Sequence, residues 1–105
     1  MIEKIKNISL NIYDEIIQTR HHLHKHPELS YKEFKTSKYI QDFLTLHKIP
    51  FKTGIVKTGI VAEIKGKNPK QKEIVLRADI DALPINEENN VDYCSVNQGV
   101  MHACG

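Results

Sequence analysis

The first apolar pattern along the chain has the spacing of an amphipathic helix. Its apolar residues recur three, four or seven positions apart, at Ile5, Ile8, Ile12, Ile16 and Leu23. Residues so spaced share one face of a helix, which predicts a helix over residues 4–24. The helix is expected to stop short of Pro27, because the residue before a proline is disfavoured in the helical conformation.

A second helical pattern follows after a short break. Ser30 and Glu33 have the spacing of a capping box, in which each side chain accepts a hydrogen bond from the other residue's backbone N–H. The positions that continue one face of this helix are Phe34, Ser37, Ile40, Phe43 and Leu44. We expect the helix to end near His47, before Pro50.

Beyond the second helix the pattern becomes that of extended chain. Residues 49–56, 59–64 and 73–78 are short and rich in β-branched side chains, which predicts two or three strands. Residues 65–72 carry the glycine, asparagine, proline and lysines of an exposed turn. The order of elements predicts an α/β fold, with two N-terminal helices packed on a small sheet of two or three strands.

Residues 83–105 show neither a helical nor a strand period. An irregular segment of more than about 20 residues is uncommon in a compact domain, and it is usually functional or incomplete. We therefore interpret the chain as part of a larger domain.

Composition and charge exclude several classes of protein. The 105 residues are 40% hydrophobic and 27% charged, which is typical of one soluble globular unit. The net charge is only +2 and the lysines alternate with acids, so the clustered basic face of a nucleic-acid-binding protein is absent from the sequence. Charged residues interrupt residues 1–17, and no apolar run of roughly 18 residues follows. We expect a cytoplasmic protein that does not bind membranes, with Cys94 and Cys104 as free thiols.

Four histidines lie within six residues at the end of the first predicted helix, at His21, His22, His24 and His26. His22 and His26 are four positions apart and share a helix face, as two metal ligands can. No carboxylate or thiol lies at a matching offset, so a polar helix end whose imidazoles cap carbonyl groups is the other interpretation.

Two acids follow the most apolar predicted strand. Asp79 and Asp81 are two residues apart, which places both carboxylates on the same side of extended chain. Ligand sites in α/β proteins form at the carboxyl ends of strands. The pair could bind a cation, orient a metal-ligating histidine, or cap the following turn.

The last residues contain His102 and Cys104, whose imidazole and thiolate are good ligands for zinc and related divalent ions. A single His-x-Cys pair is a weak signal, because a cysteine is often a small buried apolar side chain.

Four segments in this order resemble one family. They are residues 20–30 (Arg-His-His-Leu-His-Lys-His-Pro-Glu-Leu-Ser), 58–62 (Thr-Gly-Ile-Val-Ala), 76–85 (Leu-Arg-Ala-Asp-Ile-Asp-Ala-Leu-Pro-Ile) and 99–105 (Gly-Val-Met-His-Ala-Cys-Gly). Together they resemble the amidohydrolase branch of the aminoacylase and carboxypeptidase metallohydrolases, which includes hippurate hydrolase, N-acetyl-diaminopimelate deacetylase and the auxin-conjugate hydrolases. The resemblance runs from about residue 16 to the end, and one departure is His21, where the branch usually has an arginine.

The resemblance implies a fold and a set of site residues. Residues 1–105 would be the N-terminal part of a larger aminopeptidase-like α/β catalytic domain, without the inserted dimerisation domain. Cys104 matches a metal ligand, Asp81 matches the acid that orients the metal site, and His102 would line that site. Asp79 stands where other branches place a metal-binding histidine.

The resemblance also implies an activity. The full-length parent would hydrolyse the amide bond of N-acyl amino acids or small peptide-like substrates, with two divalent ions (Zn, Mn, Co or Ni) per active site, and would be a homodimer. Residues 1–105 alone would be inactive, because the catalytic glutamate and most ligands of the family are missing. The alternative is a stand-alone, non-catalytic module with a histidine-rich metal-binding helix end.

Overall fold

The computed structural model describes residues 1–104 as three helices, a β-hairpin and a long irregular arm (residues 83–104). The elements in chain order are α1 (Ile2–Asn11), α2 (Tyr13–Lys25), α3 (Phe34–Leu46), β1 (Phe51–Ile55) and β2 (Gly59–Ala62). The two strands pair antiparallel, and α3 packs against β2. Helices followed by a small sheet were predicted, and that order is confirmed.

The single helix predicted for residues 4–24 is in fact two helices that meet at Ile12. The backbone of Ile12 has φ −101° and ψ 1°, outside the helical region. Hydrogen bonds continue across the junction, because Ile12 N–H donates to the Ile8 carbonyl at 3.2 Å and Ile16 N–H donates to the Ile12 carbonyl at 3.0 Å. The junction is therefore a local bend. The end of α2 before Pro27 agrees with the prediction.

The predicted capping box of α3 is wrong, although the predicted end of α3 is right. No side chain at the N-cap position, Glu33, makes a capping hydrogen bond. The Glu33 carboxylate instead accepts a buried hydrogen bond from the Thr58 hydroxyl at 2.7 Å. Glu33 therefore bonds to a residue 25 positions away and does not cap its own helix. This hydrogen bond joins α3 to the hairpin.

Glu28 caps α3 from outside the helix. Its carboxylate accepts hydrogen bonds from the Thr36 backbone N–H at 2.6 Å, the Thr36 hydroxyl at 2.8 Å and the Lys35 backbone N–H at 3.2 Å. The first N–H groups of a helix have no partner within the helix, and a negative charge there is favoured by the helix dipole. Glu28 supplies both the acceptors and the charge.

The hairpin has an irregular register and a tight turn. Phe51 pairs with Ala62 and Ile55 with Gly59, with an irregularity between Lys52 and Ile55. Position 59 has no room for a side chain, because a Cβ there would lie 2.5 Å from the Ile55 carbonyl oxygen. A glycine is therefore required where the chain enters β2.

Residues 73–78 do not form the predicted strand. Ile74, Val75 and Leu76 are 86%, 80% and 92% exposed, and the segment has no regular structure. A strand needs a neighbouring strand to satisfy its backbone N–H and C=O groups. Within residues 1–104 the sheet has two strands, and neither pairs with this segment.

The packed centre of the described chain is small and mostly polar. Its buried members are Pro27, Glu33, Thr36, Ser37, Thr58 and Ala82. The apolar faces of α1 and of residues 74–76 are exposed. The radius of gyration is 16.0 Å, against about 13 Å for a compact domain of 100 residues. No helix in the described part of the chain is long and apolar enough to cross a membrane.

Replacement of Glu28 by alanine is expected to destabilise the fold by about 1–3 kcal/mol, because the buried Thr36 N–H and hydroxyl lose their acceptor. The measurement is the free energy of unfolding in urea. Glu73→Ala removes an exposed carboxylate and should stay within about 0.5 kcal/mol of the wild type. Equal effects of the two substitutions would show that Glu28 is not a cap.

Candidate metal centre and the arm that carries it

The arm folds back onto the turn between α2 and α3. Val96 N–H donates to the Lys25 carbonyl at 2.9 Å, and the Asn97 side-chain amide donates to the Pro27 carbonyl at 2.6 Å. Nearer its tip, Met101 and Leu83 exchange backbone hydrogen bonds of 3.0 and 3.1 Å. The arm is irregular, as predicted, but its backbone is tied down at several points.

The Glu87 side chain contacts both α2 and the arm. Only 4% of this side chain is exposed. Its carboxylate accepts hydrogen bonds from the Ser95 N–H at 2.6 Å and the Asn89 side-chain amide at 3.2 Å, and it lies 2.7 Å from His24 Nε2. The Ser95 N–H, followed by His24, lowers the pKa of Glu87 to about 2. The carboxylate is therefore ionised at neutral pH, and it joins α2 to the arm.

The histidines at the end of α2 mainly make ring contacts. His21 stacks on Tyr93 with centroids 3.8 Å apart, and His22 stacks on Tyr39 at 4.1 Å. The His22 and His26 rings are 4.8 Å apart, and burial, followed by the charge of His26, lowers the pKa of His22. No cluster of three or more histidine, cysteine or acidic residues suited to a metal ion occurs within residues 1–104. These contacts favour the polar helix end over a metal site.

The two predicted acids lie in different environments. Asp79 is exposed and accepts a hydrogen bond from the Arg77 guanidinium at 2.7 Å. Asp81 is half-buried, and its charge acts on His102. The prediction that both carboxylates face one side assumed a strand before them, and that strand is absent. Of the two acids, only Asp81 has an electrostatic effect on the pKa of His102.

His102 has a buried ring nitrogen with no hydrogen-bond partner among the described residues, Nε2. Burial lowers the pKa of His102 and the charge of His24 lowers it further, while Asp81 acts in the opposite direction. A neutral imidazole with a free nitrogen has the chemistry of a metal ligand.

The two cysteines are free and differ in environment. Cys94 donates to the Asn89 carbonyl at 2.9 Å and accepts from the Val91 N–H at 3.3 Å, which is a structural role in a loop. Cys104 is exposed near the end of the arm. The donors of His102 and Cys104 fit a divalent ion, but residues 1–104 do not supply a full coordination sphere. Gly105 lies outside the described residues.

Sequence reasoning missed Glu87, the most contacted acid of the site. Its partners His24 and Ser95 lie 63 and 8 positions away. His24 is distant in the chain and Ser95 lies in the same irregular segment, so no helical or strand pattern points to Glu87. The neighbouring Asp79 and Asp81 were found because they follow an apolar run.

Comparison with known proteins indicates the class of protein. No family model matches the chain. Over its whole length it is 45% identical to thermostable carboxypeptidase 2 of Saccharolobus solfataricus, of which it spans 27%. Among solved structures, 90% of the chain matches the YXEP protein of Bacillus subtilis, a dinuclear metal binding peptidase from the M20 family, with 42% identity and a TM-score of 0.78 over 26% of that protein.

A second solved structure extends the match. All of the chain aligns with 28% of a protein from methicillin-resistant Staphylococcus aureus that is provisionally described as an aminohydrolase, with 36% identity and a TM-score of 0.88. The chain thus spans about a quarter of the length of its relatives. It matches a segment of the amidohydrolases and peptidases of the M20 family, which confirms the resemblance seen in its motifs.

Acidic pH is expected to reduce the stability that the Glu87 carboxylate contributes through its hydrogen bonds to the arm. Because its pKa is about 2 in the folded chain against 4.5 ordinarily, the ionised carboxylate contributes stability above pH 4.5 that is lost as the pH falls toward 2. Urea unfolding of wild type and Glu87→Gln should show a free-energy difference that shrinks across this window. Glu88→Gln, which removes an exposed neighbour, is the control. A difference that is independent of pH would contradict the assignment.

Proposed function

We propose that this chain is the N-terminal part of the catalytic domain of a longer parent, a metal-dependent hydrolase that cleaves the amide bond of N-acyl amino acids or small peptide-like substrates. The observation that carries the proposal is the match, over nearly the whole chain, to a dinuclear metal binding peptidase. The buried Nε2 of His102, which has no hydrogen-bond partner among the described residues, supports it from within the chain.

Cys104 is proposed as a metal ligand in the parent. Its thiol is exposed and makes no disulfide, so it is accessible to an ion held jointly with residues outside this chain. A metal ion deprotonates a coordinating thiol, which gives a thiolate ligand at neutral pH. Zinc, manganese, cobalt and nickel are all compatible with thiolate and imidazole donors.

Asp81 and His102 are proposed to shape the same site. Asp81 orients the site as a carboxylate that does not itself bind the metal ions, and His102 lines it. A carboxylate beside a ligand sets the orientation and basicity of that ligand. Asp79 is the weaker candidate, because its carboxylate is exposed and paired with Arg77.

Two divalent ions in the parent would lower the pKa of a bound water and polarise the substrate carbonyl. The residues of this chain would contribute one thiolate and the orienting carboxylate. The general base, the remaining ligands and the dimerisation domain are proposed to lie in the rest of the parent, which we propose to be a cytoplasmic homodimer.

Residues 1–105 alone are expected to hydrolyse N-acetyl amino acids no faster than a blank. The general base and most of the metal ligands are proposed to lie outside this chain, and residues 1–104 contain no group of three residues suited to hold a metal ion. The measurement is amino acid release with each candidate metal added. Turnover that a chelator abolishes, with contaminating enzyme excluded, would contradict this expectation.

In the parent, Cys104→Ala is expected to abolish activity and to lower the bound metal content. Cys94→Ala is the matched control, because that thiol bonds to the Asn89 carbonyl and has a structural role, and it should largely retain activity. Metal analysis and steady-state kinetics are the measurements. Equal losses from both substitutions would refute the assignment of Cys104.

Asp81→Asn in the parent should lower activity by about 10–100-fold, since loss of an orienting carboxylate has that effect. Asparagine keeps the shape of the side chain, so the melting temperature should change little. Asp79→Asn, at an exposed ion pair, should have a much smaller effect on activity. If activity persists in Asp81→Asn while the melting temperature falls steeply, Asp81 is a structural cap.

A further inference from the structure

The most buried ionised side chain of the arm is neither a proposed ligand nor the proposed orienting acid. Glu87 has 4% of its side chain exposed and contacts donors from both α2 and the arm. We propose that Glu87 is a positioning residue, whose carboxylate sets the place of the arm tip, and with it His102 and Cys104, relative to Asp81. The consequences of this inference for metal affinity and catalysis rest on the proposed function, whereas its consequence for the position of the arm does not.

Two short hydrogen bonds connect Glu87, through Ser95, to Val100 near the arm tip. The carboxylate accepts from the Ser95 N–H at 2.6 Å, and the Ser95 hydroxyl donates to the Val100 carbonyl at 2.7 Å. The next residue, Met101, exchanges two backbone hydrogen bonds with Leu83. These contacts define the backbone up to the residue before His102.

The Glu87 carboxylate also contacts α2. Glu87 Oε1 lies 2.7 Å from His24 Nε2, and both side chains are nearly inaccessible to solvent, at 4% and 12% exposure. His24 also makes an edge contact with Tyr93 of the arm, with centroids 5.6 Å apart. The carboxylate is therefore held from two sides, by a helix and by a loop.

Ionisation matters because the donors converge on two oxygen atoms. Oε2 accepts from the Ser95 N–H, while Oε1 faces His24 and the Asn89 side-chain amide. A glutamine has only one acceptor oxygen. If that oxygen accepts from the Ser95 N–H, the glutamine NH₂ group faces the Asn89 side-chain amide, which is also a donor. Hydrogen bonds to an ionised acceptor are also roughly twice as strong as those to a neutral one.

A positioning role and a purely structural role of Glu87 predict different effects on melting temperature, metal affinity and kinetics. If Glu87 only stabilised the fold, its loss would lower the melting temperature and leave kinetics and metal binding unchanged below that temperature. If it positions the arm tip, its loss displaces the proposed ligand Cys104, and metal affinity and kcat fall while KM changes less.

The experiment uses the parent with Glu87→Ala, the milder Glu87→Gln, and Glu88→Ala as the matched control at an exposed neighbouring carboxylate. The readouts are zinc affinity, kcat and KM well below the melting temperature, and hydrogen exchange of the backbone amides at Ser95 and Met101. We expect about a 10–100-fold loss of zinc affinity or kcat, with faster exchange at both amides, for Glu87→Ala. Glu87→Gln should show smaller changes, and Glu88→Ala none.

Two results would overturn the inference. The first is that amide hydrogen exchange and zinc affinity in both Glu87 variants equal those of Glu88→Ala. The other is a lowered melting temperature with unchanged zinc affinity and kcat, which would make Glu87 a structural anchor. Exchange and zinc affinity do not depend on turnover. They therefore test the inference even if the wild-type parent fails to hydrolyse any amide, a result that would contradict only the proposed function.

Discussion

The turn at Pro27 and Glu28 joins every part of the chain that surrounds the candidate site. The Glu28 carboxylate caps α3, and the Glu28 carbonyl accepts from Ala82 N–H at 2.8 Å. The Pro27 carbonyl accepts from the Asn97 side chain at 2.6 Å, and Pro27 itself is fully buried. Pro27 therefore ends α2, and hydrogen bonds made at this turn set the start of α3, the position of residue 82 and the course of the arm.

Polar contacts join the elements of the described chain, whose buried residues are mostly polar. The buried Glu33–Thr58 hydrogen bond joins α3 to the hairpin, and the Glu87 carboxylate joins α2 to the arm. Large apolar side chains of α1 and of residues 74–76 remain exposed. Burial of apolar surface is normally the dominant favourable term in folding, so a parent that covers these faces would gain stability from those contacts.

The candidate metal centre divides the predicted residues into two groups. Asp81 is half-buried and its charge acts on the pKa of His102, whose buried Nε2 has no hydrogen-bond partner among residues 1–104. Asp79 is drawn into an exposed pair with Arg77, and the histidines of α2 stack on tyrosines. Similar residue types thus have different chemistry, because burial and neighbours decide whether a donor is satisfied or free.

The sequence by itself determined most of the local elements and the resemblance to a family. Apolar spacing identified the helical segments and the hairpin strands, and short motifs identified the resemblance to the aminoacylase and carboxypeptidase metallohydrolases, because both depend on residues close together in the chain. Tertiary structure decided the cap from Glu28, the failure of residues 73–78 to form a strand and the role of Glu87. Each of these depends on a partner that no local period specifies. A strand needs a neighbouring strand, and a buried carboxylate needs donors from distant segments.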